Sequence, residues 1–253
     1  MGWRDRGALA GGAVTGQYAS TKTVNIGQLG MTQDGSLYRL CKAGGTIASS
    51  VAAAINYWRV LTGVTGDYAE AALSAAIAVG DVDFTFADTN TRAADYYKGG
   101  YAVCPDGVYD NIRRIWKSDK AIAADNVVNI YVTAPYTVAD ASGNTVQCYP
   151  NPWSSVRTPG AYSAGYEHFV CLPPAPITSG KYFWGQVRGP HWCWVGLGTW
   201  PGAVSQDREV HFYINGSIDM DDIGINGNLS RQRAGYLMFS GNYGDALIYL
   251  QIE

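Results

Sequence analysis

The residues of this chain best suited to chemistry are its three histidines, His168, His191 and His211. They lie far apart in the sequence and lack the short, regular spacing of histidines that share a metal ion. Glu167 and His168 form an isolated pair inside an aromatic run, which is typical of a structural or surface histidine. The histidines therefore predict no metal centre.

Three other motifs come close to a known site, and each lacks a necessary part. Ser163 stands in Ala-Tyr-Ser-Ala-Gly, but a nucleophile elbow needs glycine in place of Ala161 and a helix after the serine. Gly196-Leu197-Gly198 is too short for a dinucleotide fingerprint and opens no helix. The turn at Asp219–Asp222 lacks the spacing and closing glutamate of a calcium loop, so we expect a solvated acidic turn there and leave metal binding open. The sequence thus predicts no catalytic residue, cofactor or metal, and a protein that is not an enzyme.

The composition is poor in charge and rich in aromatic and glycine residues. Of 253 residues, 47% are apolar and only 15% are charged, with 31 glycines and 18 tyrosines. The formal charge of −3 argues against direct nucleic-acid binding, which needs many basic groups. No apolar stretch reaches the length of a membrane span. Five scattered cysteines without a C-x-x-C pair, and an opening without a signal peptide, predict reduced thiols in a protein made in a cytoplasm.

The elements that would position any site are short strands. Roughly twelve segments have the alternation or the β-branched and aromatic content of strands, among them 37–42, 127–133, 145–149 and 235–240. An Asp-Gly turn at 32–36 is expected to form a hairpin with the first of these. The alanine-rich residues 47–79 are ambiguous and favour mixed short elements with at most one helix, near 69–79. The sequence predicts a mainly β fold, a β-sandwich or barrel-like body of many short antiparallel strands over residues 25–253, with a subdivision near 150 left open.

Residues 1–24 differ from the rest of the chain. They are rich in Gly, Ala, Ser and Thr and show little periodicity. Such a segment cannot bury enough apolar surface to order itself. We therefore expect an extended N-terminal arm that is ordered only by contact with something else, or not at all.

Aromatic residues concentrate in the stretch 177–195. Residues 181–187 predict a strand, and Gly189-Pro190 is expected to break it, because proline offers no N–H to a sheet. A second strand is then predicted from His191. We expect the aromatic side chains to fill a core or an oligomer seam, with stacking on sugars as the alternative. The candidate seam residues are Tyr182, Phe183, Trp184, Trp192 and Trp194.

Several segments of the chain resemble, in the same order, those of virion structural proteins from tailed bacteriophages. The resemblance covers most of the chain from about residue 26 onward, and the chain departs from the pattern between 196 and 233. The matching segments are Gly30-Met31-Thr32-Gln33-Asp34-Gly35-Ser36-Leu37-Tyr38-Arg39 followed by Lys42-Ala43-Gly44, Tyr96-Tyr97-Lys98-Gly99-Gly100-Tyr101, Asn151-Pro152-Trp153, the residues 177–190, and Tyr243-Gly244-Asp245-Ala246.

This resemblance implies a non-enzymatic capsid decoration or cement protein. Such proteins are β-rich and bind as homotrimers over junctions between major capsid protein subunits, with no membrane and no direct nucleic-acid contact. The implied location is the capsid exterior of the virion, after synthesis in the host cytoplasm. In this reading the arm binds the capsid through Trp3, Arg4, Arg6 and Tyr18. The alternative is a glycan- or receptor-binding head fibre or tail module that uses a Trp-rich surface.

Overall fold

The computed structural model describes most of the chain, and its regular structure is all strand. The described residues are 7–9, 14, 16–18, 25–48, 52, 54–59, 68–104, 112–122, 127–159, 166–196, 208–213, 215–219, 232–240 and 245–253. Among these residues there is no helix, so none that is long and apolar enough to cross a membrane. The mainly β prediction is therefore confirmed.

The strands are short, with one exception at β13. In chain order they are β1 (Gly7–Ala8), β2 (Gln17–Tyr18), β3 (Leu29–Met31), β4 (Leu37–Lys42), β5 (Ala54–Arg59), β6 (Ala69–Ala72), β7 (Asp83–Phe86), β8 (Tyr101–Val103), β9 (Ile112–Ser118), β10 (Val128–Val132), β11 (Thr145–Tyr149), β12 (Tyr166–Cys171), β13 (Tyr182–Trp194), β14 (Glu209–Phe212), β15 (Ile218–Asp219), β16 (Arg233–Ser240) and β17 (Asp245–Gln251). They belong to two compact units, one of Met1–Gly63 with Trp153–Glu253 and one of Val64–Pro152.

The first unit is built on a sheet in which nine described strands take part. Its order is β1-β3-β4-β13-β17-β16-β14-β15, and β2 pairs with β13 beside this path. β5 and β12 form a separate antiparallel pair. Phe183 and Val187 of β13 lie in one apolar cluster, and Cys193 lies in another. β13 therefore supplies core residues along its whole length.

The second unit is a six-stranded antiparallel sheet around its own core. Its order is β6-β11-β8-β9-β10-β7, and a bridge between Leu73 and Phe86 also brings the two ends of the sheet together. The interior holds fully buried aromatic rings, with the Phe86 ring edge-on to that of Tyr97. Because inward and outward side chains alternate along a strand, β10 buries Val128, Ile130 and Val132 and turns the residues between them outward.

The predicted break at Gly189-Pro190 is wrong, because β13 runs through it as one strand of 13 residues. The strand changes neighbours at this point: β4 pairs with it up to Arg188, and β17 pairs with it from Arg188 onward. The buried Gln186 amide donates from Nε2 to the carbonyl oxygens of Arg188 (3.2 Å) and Pro190 (3.0 Å). The N–H and C=O groups of one strand residue point to the same edge of the strand. The Pro190 carbonyl points toward Gln186, so the N–H that proline lacks would also have pointed there, and the hydrogen bonds with β17 are not affected.

No helix forms near 69–79, where mixed short elements with at most one helix were expected: β6 and two bridged residues lie in this stretch. Ala69, Leu73 and Ile77 are all buried, and they repeat every four residues. A spacing of four keeps side chains on one face of a helix, but it also keeps them on one face of a strand. Here β6 pairs with β11, and Leu73 and Ile77 form bridges with Phe86 and Asp140, so the stretch is part of the sheet and not a helix.

Candidate interaction surface on the nine-stranded sheet

The five aromatic residues predicted for a core or seam divide into two groups. Phe183 is fully buried and Trp184 is 6% exposed, whereas Trp192 and Trp194 are 44% and 43% exposed. Tyr182 is half-buried and lies under the Lys42 ammonium group. The first half of β13 is therefore core, and its second half presents two tryptophans to the outside.

Parts of the N-terminal arm cover the first half of β13. Leu9, Val14 and Tyr18 pack in one cluster with Trp184, and the Leu9 backbone N–H donates to the Met31 carbonyl at 2.9 Å. Tyr18 pairs with Tyr182 through β2. These pieces of the arm are thus ordered on the same chain's sheet. Of the other candidate arm residues, Trp3, Arg4 and Arg6 lie outside the described residues.

Deletion of residues 1–24 should destabilise the first unit and expose Trp184 to water. The deletion removes Leu9, Val14 and Tyr18 from their cluster with Trp184. Each apolar side chain of this size is worth about 1.5–3 kcal/mol when fully buried. After the entropy of ordering the arm is subtracted, we expect a net loss of about 3 kcal/mol in the free energy of unfolding. Urea unfolding measures the loss, and tryptophan emission should shift to the red.

The full-length variant Trp184→Phe is the control for this deletion. This variant lacks the Trp184 fluorophore that the arm covers. When residues 1–24 are also deleted from it, the red shift of the remaining emission should largely disappear. An arm deletion whose urea midpoint and emission match the full-length protein would contradict the packing of Leu9 and Val14 on the sheet.

The second half of β13 belongs to an exposed aromatic surface. Cys193 between the two tryptophans is buried, so Trp192 and Trp194 project from the opposite side of the sheet. Trp192 lies opposite Leu247 on β17. β16, the strand on the other side of β17, places its Tyr236 opposite Tyr249 of β17. These two rings stack with centroids 5.2 Å apart and an interplanar angle of 10°.

A bulge in β16 adds two more apolar side chains to this surface. Leu237 pairs with Ile248 and Phe239 pairs with Leu247, which leaves Met238 as the extra residue. A bulge of this kind turns two successive residues toward the same side of the sheet. Met238 is 43% exposed and Phe239 is 61% exposed. We call this surface the aromatic face, and its exposed members are Trp192, Trp194, Tyr236, Met238 and Phe239.

Sequence reasoning missed the contribution of β16 to the aromatic face. Residues 235–240 were predicted as a strand, but strict alternation would have buried one of Met238 and Phe239. The available signal was the run Tyr-Leu-Met-Phe, which places more large apolar residues together than one buried side of a strand can hold.

The aromatic face has a polar edge at β14. Glu209 lies opposite Tyr236, and its Oε1 is 2.9 Å from Arg233 Nε. Both side chains are about half exposed, so the ion pair contributes little to folding. Apolar side chains surrounded by charged groups are the usual anatomy of a protein–protein contact.

The backbone under the face is fixed by a network around Gln186. Gln186 Oε1 lies 2.8 Å from His191 Nδ1, and since an amide oxygen only accepts, the Nδ1 of His191 carries the proton. Gly189 has φ +113°, and a Cβ there would fall 2.5 Å from Ser36 Oγ. The direction in which β13 continues toward Trp192 is therefore set by close packing.

Two of the other candidate sites lie wholly or partly outside the described residues. Asp219 lies in β15 and is 5% exposed, so this carboxylate is not part of the solvated turn expected for Asp219–Asp222; the rest of that turn lies outside the described residues. Ser163 lies outside them as well. In the described part of the chain, no group of three His, Cys, Asp or Glu side chains is placed to hold a metal ion.

Comparisons with protein-family models, with curated proteins and with solved structures find no match to this chain. The aromatic face must therefore be interpreted from its own geometry. It is a weakly charged surface on strands that are buried on their other side. A surface of this kind can bind another macromolecule.

Proposed function

We propose that this protein is a non-enzymatic capsid decoration protein of a tailed bacteriophage, which binds across major capsid protein subunits and stabilises the head. The observation that carries the proposal is the aromatic face. The ordered resemblance of five segments to phage virion proteins supports the same function and supplies the identity of the partner.

The exposed area of the aromatic face is the size that a protein partner requires. Its five members are between 38% and 61% exposed. At 150–250 Å² for a large side chain, this amounts to about 450 Å² of mostly apolar surface. A standard interface buries about 800 Å² on each partner, of which roughly 500 Å² is apolar. The face therefore matches the apolar part of one contact.

The energetics favour binding in several copies. Burial of about 450 Å² is worth about 11 kcal/mol at 25 cal/mol per Å², while association costs 4–15 kcal/mol. One face alone therefore gives weak or moderate affinity. A homotrimer that presents three faces to one shell gains further affinity, because the second and third contacts form at high effective concentration. The arm residues Trp3, Arg4 and Arg6 are proposed as a second contact with the capsid.

The double variant Trp192→Ala/Phe239→Ala should lose binding to the shell. Large aromatic side chains near the centre of an interface cost 2 kcal/mol or more each when truncated. We therefore expect affinity to fall by at least about 100-fold. The measurement is co-sedimentation with shells of the major capsid protein from the same phage, stripped of this protein.

The matched control is Trp116→Ala, which removes a similarly exposed tryptophan from the second unit. This variant should decorate shells like the wild type. Light scattering in the absence of shells gives the oligomer mass of each variant. Normal decoration by the double variant would contradict the role of the face, and loss of the trimer in that variant would place the face between copies instead.

A further inference from the structure

The second unit carries an exposed tryptophan that the proposed function does not use. Trp116 of β9 is 51% exposed. Tyr131 pairs with Lys117 and Val132 pairs with Ile115, so Trp116 is the extra residue of a bulge. Ile115 is fully buried, and the bulge turns Trp116 outward beside Lys117.

A second aromatic ring and a charged group lie against Trp116. The rings of Trp116 and Tyr131 have centroids 5.9 Å apart and are tilted by 56°. The ammonium group of Lys117 lies 4.5 Å from the centre of the Tyr131 ring. A cation in this position favours one orientation of the Tyr131 ring. Trp116 itself remains about half exposed.

Polar groups for hydrogen bonding are held next to these rings. Asp119 Oδ2 accepts from Asn129 Nδ2 at 3.1 Å and from the Tyr131 hydroxyl at 3.4 Å, and Asp119 Oδ1 lies 3.3 Å from Lys117 Nζ. These partners lower the pKa of the Asp119 carboxyl, so it stays an ionised acceptor. Among the described residues, none donates to the side-chain oxygen of Asn129. We call this group the Trp116 platform, and its members are Trp116, Lys117, Asp119, Asn129 and Tyr131.

The polar side of the platform continues on the next strand. Asp83 of β7 lies opposite Tyr131, and Thr85 lies opposite Asn129, both on the outward side of the sheet. The Lys117 ammonium pairs with the Asp119 carboxylate, and Asp83 adds a second carboxylate. The surface therefore lacks the excess of positive charge that an acidic sugar would need, and it combines an exposed indole with hydrogen-bond donors and acceptors.

We propose that the Trp116 platform is a binding site for a neutral hexopyranose chain. The C–H face of a pyranose ring packs on an exposed indole, and its hydroxyl groups pair with carboxylate, amide and ammonium groups at the edge. Asp119 and the Asn129 oxygen are the acceptors, and Lys117 is the donor. This site lies in a different unit from the aromatic face and does not depend on the proposed decoration function.

The test uses the full-length protein and four neutral hexasaccharides: cellohexaose, laminarihexaose, maltohexaose and mannohexaose. Titration is followed by tryptophan fluorescence and by saturation-transfer NMR. At least one of the four should bind with a dissociation constant of about 0.1–1 mM, as expected for one or two sugar rings on an open surface. Trp116→Ala should weaken this binding by about tenfold or more.

Two further variants separate the site from a folding defect. Trp116→Tyr keeps a flat ring and should bind better than Trp116→Ala, and Asp119→Ala should weaken binding without removing the ring. Trp192→Ala, which removes an exposed tryptophan of the first unit, should bind like the wild type. Circular dichroism checks that each variant is folded.

Two results would overturn the proposal. One is the absence of saturable binding for all four hexasaccharides up to about 10 mM. The other is binding that Trp116→Ala leaves unchanged or that Trp192→Ala abolishes. Neither result bears on decoration, because the Trp116 variants are expected to bind capsid shells normally.

Discussion

The variant Gly235→Ala should give no soluble folded protein. Gly235 lies in β16 between β17 and β14, opposite Leu250 on one side and Val210 on the other. Its φ of +147° is rarely adopted by residues with a side chain. A Cβ at this position would fall 2.0 Å from the Tyr249 carbonyl oxygen and 3.0 Å from its carbonyl carbon.

The clash at Gly235 is with backbone, so no side-chain rotation can relieve it. β17 would have to separate from β16, which also carries β14 and β15. We expect a loss of more than about 4 kcal/mol, a large part of the stability of an ordinary domain. Yield of soluble protein and thermal unfolding by circular dichroism measure the effect.

Gly143→Ala is the matched control. Gly143 also has positive φ, +87°, but no atom lies within 4 Å of the position of an added Cβ. Its cost should be only the left-handed backbone strain of about 1–2 kcal/mol. A Gly235→Ala variant that melts at the same temperature as Gly143→Ala would show that β16 and β17 are not packed as described.

Elements that depend on local sequence were predicted well. β4 and β11 have the predicted bounds. A hairpin turn comes before β4, where Asp34 accepts hydrogen bonds from Thr32 and from Ser36. Residues that close a turn act over a few positions, so their effect can be read without knowing the fold.

Elements that depend on distant partners were predicted poorly. Pro190 is tolerated within β13 because Gln186 takes its carbonyl and β4 has already ended. The alanine-rich stretch at 69–77 is extended because β11 and β7 pair with it. In both places the local pattern fits two structures, and pairing with segments far along the chain decides between them.

The candidate surface could be predicted only in part. Trp184 and Trp192 look alike in the sequence, and both were expected to lie in a core or seam. Leu9 and Val14 cover Trp184. Trp192 stays exposed, and two strands away β16 adds Tyr236 to the same open surface. Which side of a strand is covered depends on segments that local periodicity does not identify.

Stability should fall steeply above about pH 9, because the unfolded chain ionises there and the folded chain does not. Burial raises the pKa of the Cys104 thiol from 9.0 to about 12. It also raises the thiol pKa of Cys148 and Cys193 far above the ordinary value. The pKa of Cys171 is raised as well, first by its hydrogen bond with the Cys41 thiol and then by burial. Between pH 9 and 12 the folded state therefore binds more protons than the unfolded state, so the free energy of unfolding decreases as pH rises.

The expected decrease is large enough to unfold the protein. Each thiol contributes up to about 1.4 kcal/mol per pH unit between its unfolded and its folded pKa, so the four thiols together remove several kcal/mol of stability by about pH 10.5. Buried Tyr97 and Tyr136, whose pKa values burial also raises, add to the loss above pH 10. The stability of an ordinary domain is about 5–15 kcal/mol, so the alkaline midpoint should lie near or below pH 11.

Urea unfolding under reducing conditions, from pH 7 to pH 10.5, measures this dependence. The double variant Cys104→Ala/Cys148→Ala loses some packing at every pH, so slopes are compared and not absolute values. Because the variant lacks two titrating thiols, its free energy of unfolding should decrease less steeply with pH, by about 2.7 kcal/mol per pH unit above pH 9. Equal slopes for the two proteins would mean that these thiols are already accessible to water in the folded state, in conflict with their complete or nearly complete burial.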